Sequence, residues 1–141
     1  MDVLEDVWPN IQVAEDSTKY DSFWQHEWAK HGTCTGLTQE EYFSTGVSLL
    51  QERFPTPPQL SADAGGSITR AELEAAYGGD GMAILACQGH NTVYLNQVFL
   101  CLEVDPETHM PGNQIVCPEE VVEHDDSCGQ GTIHVGAFSE R

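Results

Sequence analysis

The sequence predicts an α+β fold in which helices pack against an antiparallel β-sheet. Helical patterns that open with capping boxes fill the first half of the chain, and apolar, β-prone runs follow in the second half. A run of helices followed by a run of strands is typical of the α+β class. Because 141 residues is the usual length of one domain, we assign residues 1–141 to a single domain.

The predicted helices precede residue 80. The first covers about Ser22–His31. The second covers Thr38–Phe54 and opens with a Thr-x-x-Glu capping box at Thr38–Glu41. Its aromatic and aliphatic residues recur at helical spacing, and prolines follow it. A second capping box, Thr69–Glu72, opens a short helix that ends at Gly78-Gly79.

The predicted strands follow these helices. The apolar, β-prone runs are Met82–Cys87, Thr92–Val104, Gln114–Cys117 and Thr132–Phe138. The run Thr92–Val104 is the longest, so we expect it to form the central strand. The acidic run Glu119–Asp126 is predicted to be a solvated loop.

One segment of the chain, Phe23–Cys34, has the composition of an acid–base site. It carries two histidines, a carboxylate and a lysine within six positions, at His26, Glu27, Lys30 and His31. At about 100° per residue, Lys30 lies one helical turn from His26, and His31 lies one turn from Glu27. The predicted helix therefore carries two adjacent ionic stripes.

Two alternatives compete with this interpretation. A helical zinc site needs histidines at i and i+4, but here the second histidine is at i+5 and Lys30 occupies the ligand position. A solvated amphipathic helix with incidental histidines is the other alternative. Trp24 and Trp28, also at i and i+4, form a separate apolar stripe that would anchor the helix while its ionic groups face a cleft. This stripe favours the acid–base site.

The segment Phe-Trp-x-His-Glu-Trp-x-Lys-His-Gly-Thr-Cys at 23–34 resembles the second active-site segment of the ribonuclease T2 family. Further similarity lies at Trp8-Pro9-Asn10, at Glu41-Tyr42-Phe43 and in the spaced cysteines near the end. The family consists of acid, largely base-nonspecific endoribonucleases. The resemblance implies a ribonuclease T2-like fold, a single-stranded RNA substrate and no metal or other cofactor.

The resemblance also implies the roles of individual residues. RNA would be cleaved by transesterification through a 2′,3′-cyclic phosphate. His31 would be the general base and His26 would hold the phosphate, while Glu27 and Lys30 would stabilise the five-coordinate transition state. The residues implied for substrate binding are Asn10, Gln12, Phe23 and Trp24.

A first active-site segment is also typical of the family. It supplies the general acid, a histidine within a His-Gly-Leu-Trp-Pro pattern upstream of Trp-Pro-Asn. Seven residues precede Trp8, so we expect this chain to be the C-terminal part of the family domain, lacking that segment. Two function classes stay open. One is an endoribonuclease, and the other is a catalytically impaired ribonuclease-like domain with a binding, storage or interaction role.

The five cysteines are an odd number, so a disulfide framework would leave one unpaired. Four cysteines alone allow three connectivities. The resemblance implies the pairs Cys87–Cys128 and Cys101–Cys117, with Cys34 reserved for a partner in the missing N-terminal segment. Disulfides imply an oxidising compartment, so we expect a secreted or vacuolar/lysosomal protein, although no signal peptide is visible.

The charge of the chain opposes RNA binding. It has 5 basic and 23 acidic residues, giving a net charge of −18, whereas nucleic-acid affinity usually depends on Lys and Arg. At acidic pH histidines gain charge and carboxylates begin to lose theirs, which would allow local contact through His26, Lys30 and His31. No apolar stretch of about 18 residues predicts a membrane span. The histidines assigned to loops or to the surface are His90, His109, His124 and His134.

Overall fold

The computed structural model of the chain describes residues 2–8 and 20–137. These residues form two compact units, and each is described by itself. The first contains Met1–Pro55 and Val104–Pro111, and the second contains Thr56–Glu103 and Gly112–Arg141. The assignment of 1–141 to one domain stays a prediction.

The first unit is helical. Its elements are α1 (Asp2–Val7), α2 (Tyr20–Glu27), the π-turn π1 (Trp28–Gly32), α3 (Gln39–Ser48) and a second π-turn, π2 (Leu49–Arg53). The capping box that opens α3 is confirmed. The Thr38 hydroxyl accepts from the Glu41 N–H at 3.3 Å, and the Glu41 carboxylate accepts from the Thr38 N–H at 2.8 Å.

Aromatic rings hold the helices of the first unit together. The Trp8 ring lies 5.8 Å from Tyr42 and 5.3 Å from Phe43, measured between ring centroids. The Trp24 indole N–H donates to the Trp8 carbonyl at 3.1 Å. Phe23 and Trp24 are each only 8% exposed. The apolar side of α2 is therefore anchored, as the sequence pattern predicts.

The second unit contains most of the sheet. Its helices are α4 (Pro58–Ala62), α5 (Arg70–Ala76) and α6 (Glu119–Asp125). The strands are β1 (Ser67–Thr69), β2 (Ala83–Gln88), β3 (Tyr94–Val104), β4 (Pro111–Ile115) and β5 (Thr132–His134). The terminal residues Val104 and Pro111 of β3 and β4 group with the first unit. Within the described residues, no helix has the length and apolarity to span a membrane.

The sheet confirms the α+β class and the central position of the longest strand. The strand order is β1-β5-β3-β2, and β4 also pairs with β3. β1 pairs antiparallel with β5, and β2 antiparallel with β3. The expectation of a fully antiparallel sheet needs one correction, because β3 and β5 run parallel where Tyr94 meets His134. The chain between β4 and β5, which includes α6, is long enough for β5 to return in that direction.

The acidic run after Pro118 is a helix and not the predicted loop. In α6 the half-buried residues include Val121 and Val122, whereas Glu119, Glu120 and Glu123 are exposed. α6 contacts β2. Packing of this valine-bearing helix on the sheet therefore overrides the polarity of the run.

The core of the second unit lies between the sheet and its helices. Its fully buried aliphatic side chains include Leu73, Leu85 and Ile133. Both disulfides implied by the resemblance are present, Cys87–Cys128 and Cys101–Cys117. These bridges fasten the segments on either side of α6 to the strands.

Candidate active site

The predicted catalytic residues lie where α2 passes into the π-turn π1. His26 and Glu27 are the last residues of α2, while Lys30 and His31 belong to π1. His26, Lys30 and His31 are exposed, and Glu27 is half-buried. The structure thus brings the four residues together on one short helical segment, with three of them open to solvent.

The π-turn changes the directions in which these side chains point. In a continuous α-helix, His26 and His31 would be separated by about 140° around the axis. The Thr33 N–H instead bonds to the Trp28 carbonyl, an i→i+5 bond of 3.0 Å. A π-turn contains more residues than an α-turn, so each residue rotates by less and His31 moves toward the side of His26. The angle around the helix axis between the two histidines is therefore smaller than a continuous α-helix would give.

Gly32 is required by the packing of this turn. It is buried, and a Cβ added there would overlap the six-membered ring of the Trp28 indole. Trp28 in turn meets Tyr42 edge-on at a centroid distance of 5.7 Å. The glycine of the His-Gly-Thr-Cys motif therefore lets the tryptophan fold back over the end of the helix.

The residues after Gly32 complete the end of the helix. The Thr33 hydroxyl donates to the Ala29 carbonyl at 3.1 Å, and the Thr35 hydroxyl donates to the Gly32 carbonyl at 2.6 Å. The Cys34 thiol donates to the His31 carbonyl at 3.1 Å. These bonds occupy carbonyls that a helix end leaves unpaired, and so they hold the backbone that carries Lys30 and His31.

Tyr42 of α3 lies against the segment that carries the predicted catalytic residues, because its ring meets Trp28 of π1 edge-on. Burial raises the pKa of its hydroxyl, and the charges of Glu27 and Cys34 raise that pKa further. Tyr42 therefore lies within the electrostatic range of Glu27, one of the predicted catalytic residues. Its neighbour in the sequence, Glu41, belongs to the capping box that opens α3.

The predicted substrate-binding residues have different positions. Asn10 and Gln12 lie outside the described residues. Phe23 and Trp24 are both buried and hold α2 in place. Packing in the interior is therefore a sufficient reason for both residues, and their contact with RNA stays a prediction.

Cys34 is the free cysteine among the five, all of which lie in the described part of the chain, and it is exposed. The family resemblance likewise leaves Cys34 outside the two disulfides, so this expectation is confirmed. Among the residues that the structure describes, no three His, Cys, Asp or Glu side chains are grouped as metal ligands.

Comparison with known proteins identifies the family of the chain. The sequence model of the ribonuclease T2 family matches residues 1–111. This match covers more than half of the chain and includes the whole of α2 and π1. The chain belongs to the ribonuclease T2 family.

Individual relatives match over much of the chain. Intracellular ribonuclease LX of Solanum lycopersicum is 30% identical over 149 residues, covering 96% of this chain and 56% of the relative. A ribonuclease of Aeromonas hydrophila is 30% identical over 115 residues, covering 76% of this chain and 50% of the relative. Ribonuclease MC of Momordica charantia is 29% identical over 125 residues, covering 81% of this chain and 63% of the relative. The chain thus spans about half the length of the curated relatives it matches.

Proposed function

We propose that this chain acts in an endoribonuclease that cleaves single-stranded RNA by transesterification through a 2′,3′-cyclic phosphate, without a metal and at acidic pH. Membership of the ribonuclease T2 family supports the reaction class. The observation that carries the proposal is the exposure of His26, Lys30 and His31 on one helical segment whose opposite side is buried.

The proposed mechanism divides the chemistry among four side chains. His31 removes the proton of the ribose 2′-OH, and the oxygen then attacks the adjacent phosphorus. His26 holds the phosphate. The Lys30 ammonium offsets the negative charge that develops on the phosphorane, and Glu27 assists in stabilising that state.

Two structural features support this division. π1 moves His31 toward the side of His26, which favours contact of one phosphodiester group with both histidines. The hydrogen bonds from Thr33, Cys34 and Thr35 hold the backbone at Lys30 and His31. Such preorganisation is what electrostatic stabilisation of a transition state needs.

The general acid is assigned to a histidine in a segment outside these 141 residues. We propose that this segment carries a cysteine that pairs with Cys34, which is exposed and free here. The disulfides Cys87–Cys128 and Cys101–Cys117 support an oxidising location, which we propose to be secreted or vacuolar/lysosomal.

The experiment is cleavage of a short single-stranded RNA at about pH 5 with a chelator present, scored for cyclic phosphate ends. Wild type should give cyclic product slowly, because the general acid lies outside the chain, and His31→Ala should lower that rate by about a further 10²- to 10⁴-fold because it removes the base. His124→Ala is the matched control, since this exposed histidine lies on α6 in the other unit, and it should cleave like wild type. Equal rates for wild type and His31→Ala would contradict the proposal.

A second candidate function is a catalytically impaired domain with a binding, storage or interaction role. The net charge of −18, which repels RNA, favours it. Absence of both RNA binding and cyclic product for the wild-type chain in the same assay would support this candidate over the nuclease.

A further inference from the structure

The turn that joins α5 to β2 in the second unit places three glycines around one aspartate. Its sequence is Gly78-Gly79-Asp80-Gly81, and Asp80 is exposed. The φ angles of Gly78, Gly79 and Gly81 are +111°, +114° and +73°. Residues with a Cβ rarely adopt such angles, so the glycines are what allow the chain to turn here. We name residues 78–81 the Asp80 turn.

Asp80 and Gly81 carry the two groups of an intrachain reaction. The backbone nitrogen that follows an aspartate can attack the Cγ of its side chain, which closes a five-membered succinimide ring. Glycine is the most favourable residue in the second position, because it has no Cβ to obstruct the approach of the carboxyl group.

Both reacting groups of the Asp80 turn are accessible. Within the part of the chain that the structure describes, no acceptor takes the Gly81 N–H and no donor reaches the Asp80 carboxylate. A Cβ added at Gly79 would meet nothing within 4 Å, so the space beside Asp80 is open. The carboxyl group can therefore turn toward the nitrogen without breaking another contact.

A second aspartate of the same unit, Asp126, shows the opposite arrangement. Ser127 follows it and is also small, so this pair offers the same chemistry in an unfolded chain. In the fold, the Asp126 carboxylate accepts from Arg70 at 2.7 Å and from the Leu85 N–H at 3.2 Å. The Ser127 N–H donates to the Leu85 carbonyl at 3.0 Å. The fold thus holds both groups of this pair and leaves those of Asp80 and its neighbour open.

We propose that the Asp80 turn is a site of spontaneous modification, at which Asp80 converts to isoaspartate. The Gly81 nitrogen bonds to the Asp80 Cγ, while the amide proton and the carboxyl hydroxyl leave together as water. A water molecule then breaks the bond between the Asp80 main-chain carbonyl carbon and that nitrogen. The main chain now runs through Cγ. No atom is gained or lost overall, but the backbone of the turn is longer by one methylene group.

The ends of the turn are held at a fixed distance, so the longer backbone has a structural consequence. The Gln114 side-chain amide donates to the Tyr77 carbonyl at 2.7 Å and to the Met82 carbonyl at 2.9 Å. These two carbonyls lie on either side of the Asp80 turn. The added methylene group changes the span between them and so weakens the attachment of α5 to β2.

The test is prolonged warm incubation of the native chain in mildly acidic buffer, followed by digestion with a glutamate-specific protease. Chromatography and mass spectrometry then compare the peptides with synthetic standards that carry aspartate or isoaspartate at position 80 or 126. Isoaspartate should accumulate at Asp80 at least about tenfold faster than at Asp126, which is the factor for one hydrogen bond to a charged group.

Two variants identify the reacting side chain. Asp80→Glu should abolish the product at this position, because the longer side chain would have to close a six-membered ring. Asp63→Glu is the matched control, since Asp63 lies in the same unit but is followed by alanine, and it should give the wild-type amount of isoaspartate at Asp80.

The same measurement on the reduced chain in urea separates the effect of the fold from that of the sequence. Unfolding releases Asp126 from Arg70, so the ratio of the Asp80 rate to the Asp126 rate should fall at least about threefold. A native chain without isoaspartate at Asp80, or a ratio equal in the folded and unfolded chains, would overturn the proposal. Both measurements are independent of RNA cleavage.

Discussion

The replacement Gly32→Ala tests the packing of π1 because two physical effects oppose each other at this position. Alanine is the better helix former, and propensity alone predicts a gain of up to about 1 kcal/mol. The structure predicts a loss, since the new methyl group would overlap the Trp28 ring. The sign of the change in the free energy of unfolding therefore decides between them.

The magnitude follows from what the methyl group displaces. Forcing an extra carbon into a packed, buried position costs about 1–3 kcal/mol. Moving Trp28 also weakens its edge-on contact with Tyr42, which lies at 5.7 Å and represents about 0.5–1.5 kcal/mol for such a pair. After subtraction of the propensity gain, we expect a net destabilisation of about 2 kcal/mol.

Thermal unfolding followed by circular dichroism measures this change. For a chain of this size, 2 kcal/mol corresponds to a fall in Tm of about 6–8 °C. Gly131→Ala is the matched control, because an added Cβ at this exposed glycine meets nothing within 4 Å. A Tm for Gly32→Ala equal to or above that of wild type would refute the packing argument.

Three further predictions concern the second unit. Arg70 forms a bidentate ion pair with Asp126 at 2.8 and 2.7 Å, and both side chains are only 12% exposed. Asp126→Asn should therefore lower the free energy of unfolding by about 2 kcal/mol, as measured by denaturant titration. Asp80→Asn, at an exposed position, is the control and should leave it unchanged. The Arg70 guanidinium also lowers the pKa of Asp126, so this contribution should be complete above about pH 4 and lost as the pH falls through the lowered value; equal acid sensitivity of wild type and Asp126→Asn would contradict it. A disulfide that closes a longer loop removes more entropy from the unfolded chain. Removal of Cys87–Cys128, which spans 41 residues, should therefore cost about 4 kcal/mol of stability, and removal of Cys101–Cys117, which spans 16, about 3 kcal/mol. The opposite order in the paired Cys→Ala variants would contradict this argument.

Local sequence chemistry was sufficient to locate several elements. The boxes at Thr38–Glu41 and Thr69–Glu72 are both formed, because each depends on side chains three residues apart. The run Thr92–Val104 became β3 within two residues of its predicted start, since it is rich in apolar and β-branched residues. The disulfide pairing came from the family resemblance, because spacing alone left three possibilities.

Features that depend on distant packing could not be predicted in the same way. The π-turn at Trp28–Gly32 has no residue signature and depends on Trp28 folding over Gly32 toward Tyr42. The helix α6 looks like a solvated acidic run until its contact with β2 is known. The position of His109 over Gly36 joins residues far apart in the sequence, so an isolated histidine gave no signal.

The account depends most directly on His31 as a catalytic base in this chain. The decisive measurement is the amount of 2′,3′-cyclic phosphate that wild type and His31→Ala produce from one single-stranded RNA at about pH 5 with a chelator present. The account predicts cyclic product from wild type and a rate about 10²- to 10⁴-fold lower for His31→Ala. Cleavage that is unchanged by the substitution, or product without cyclic ends, would contradict it.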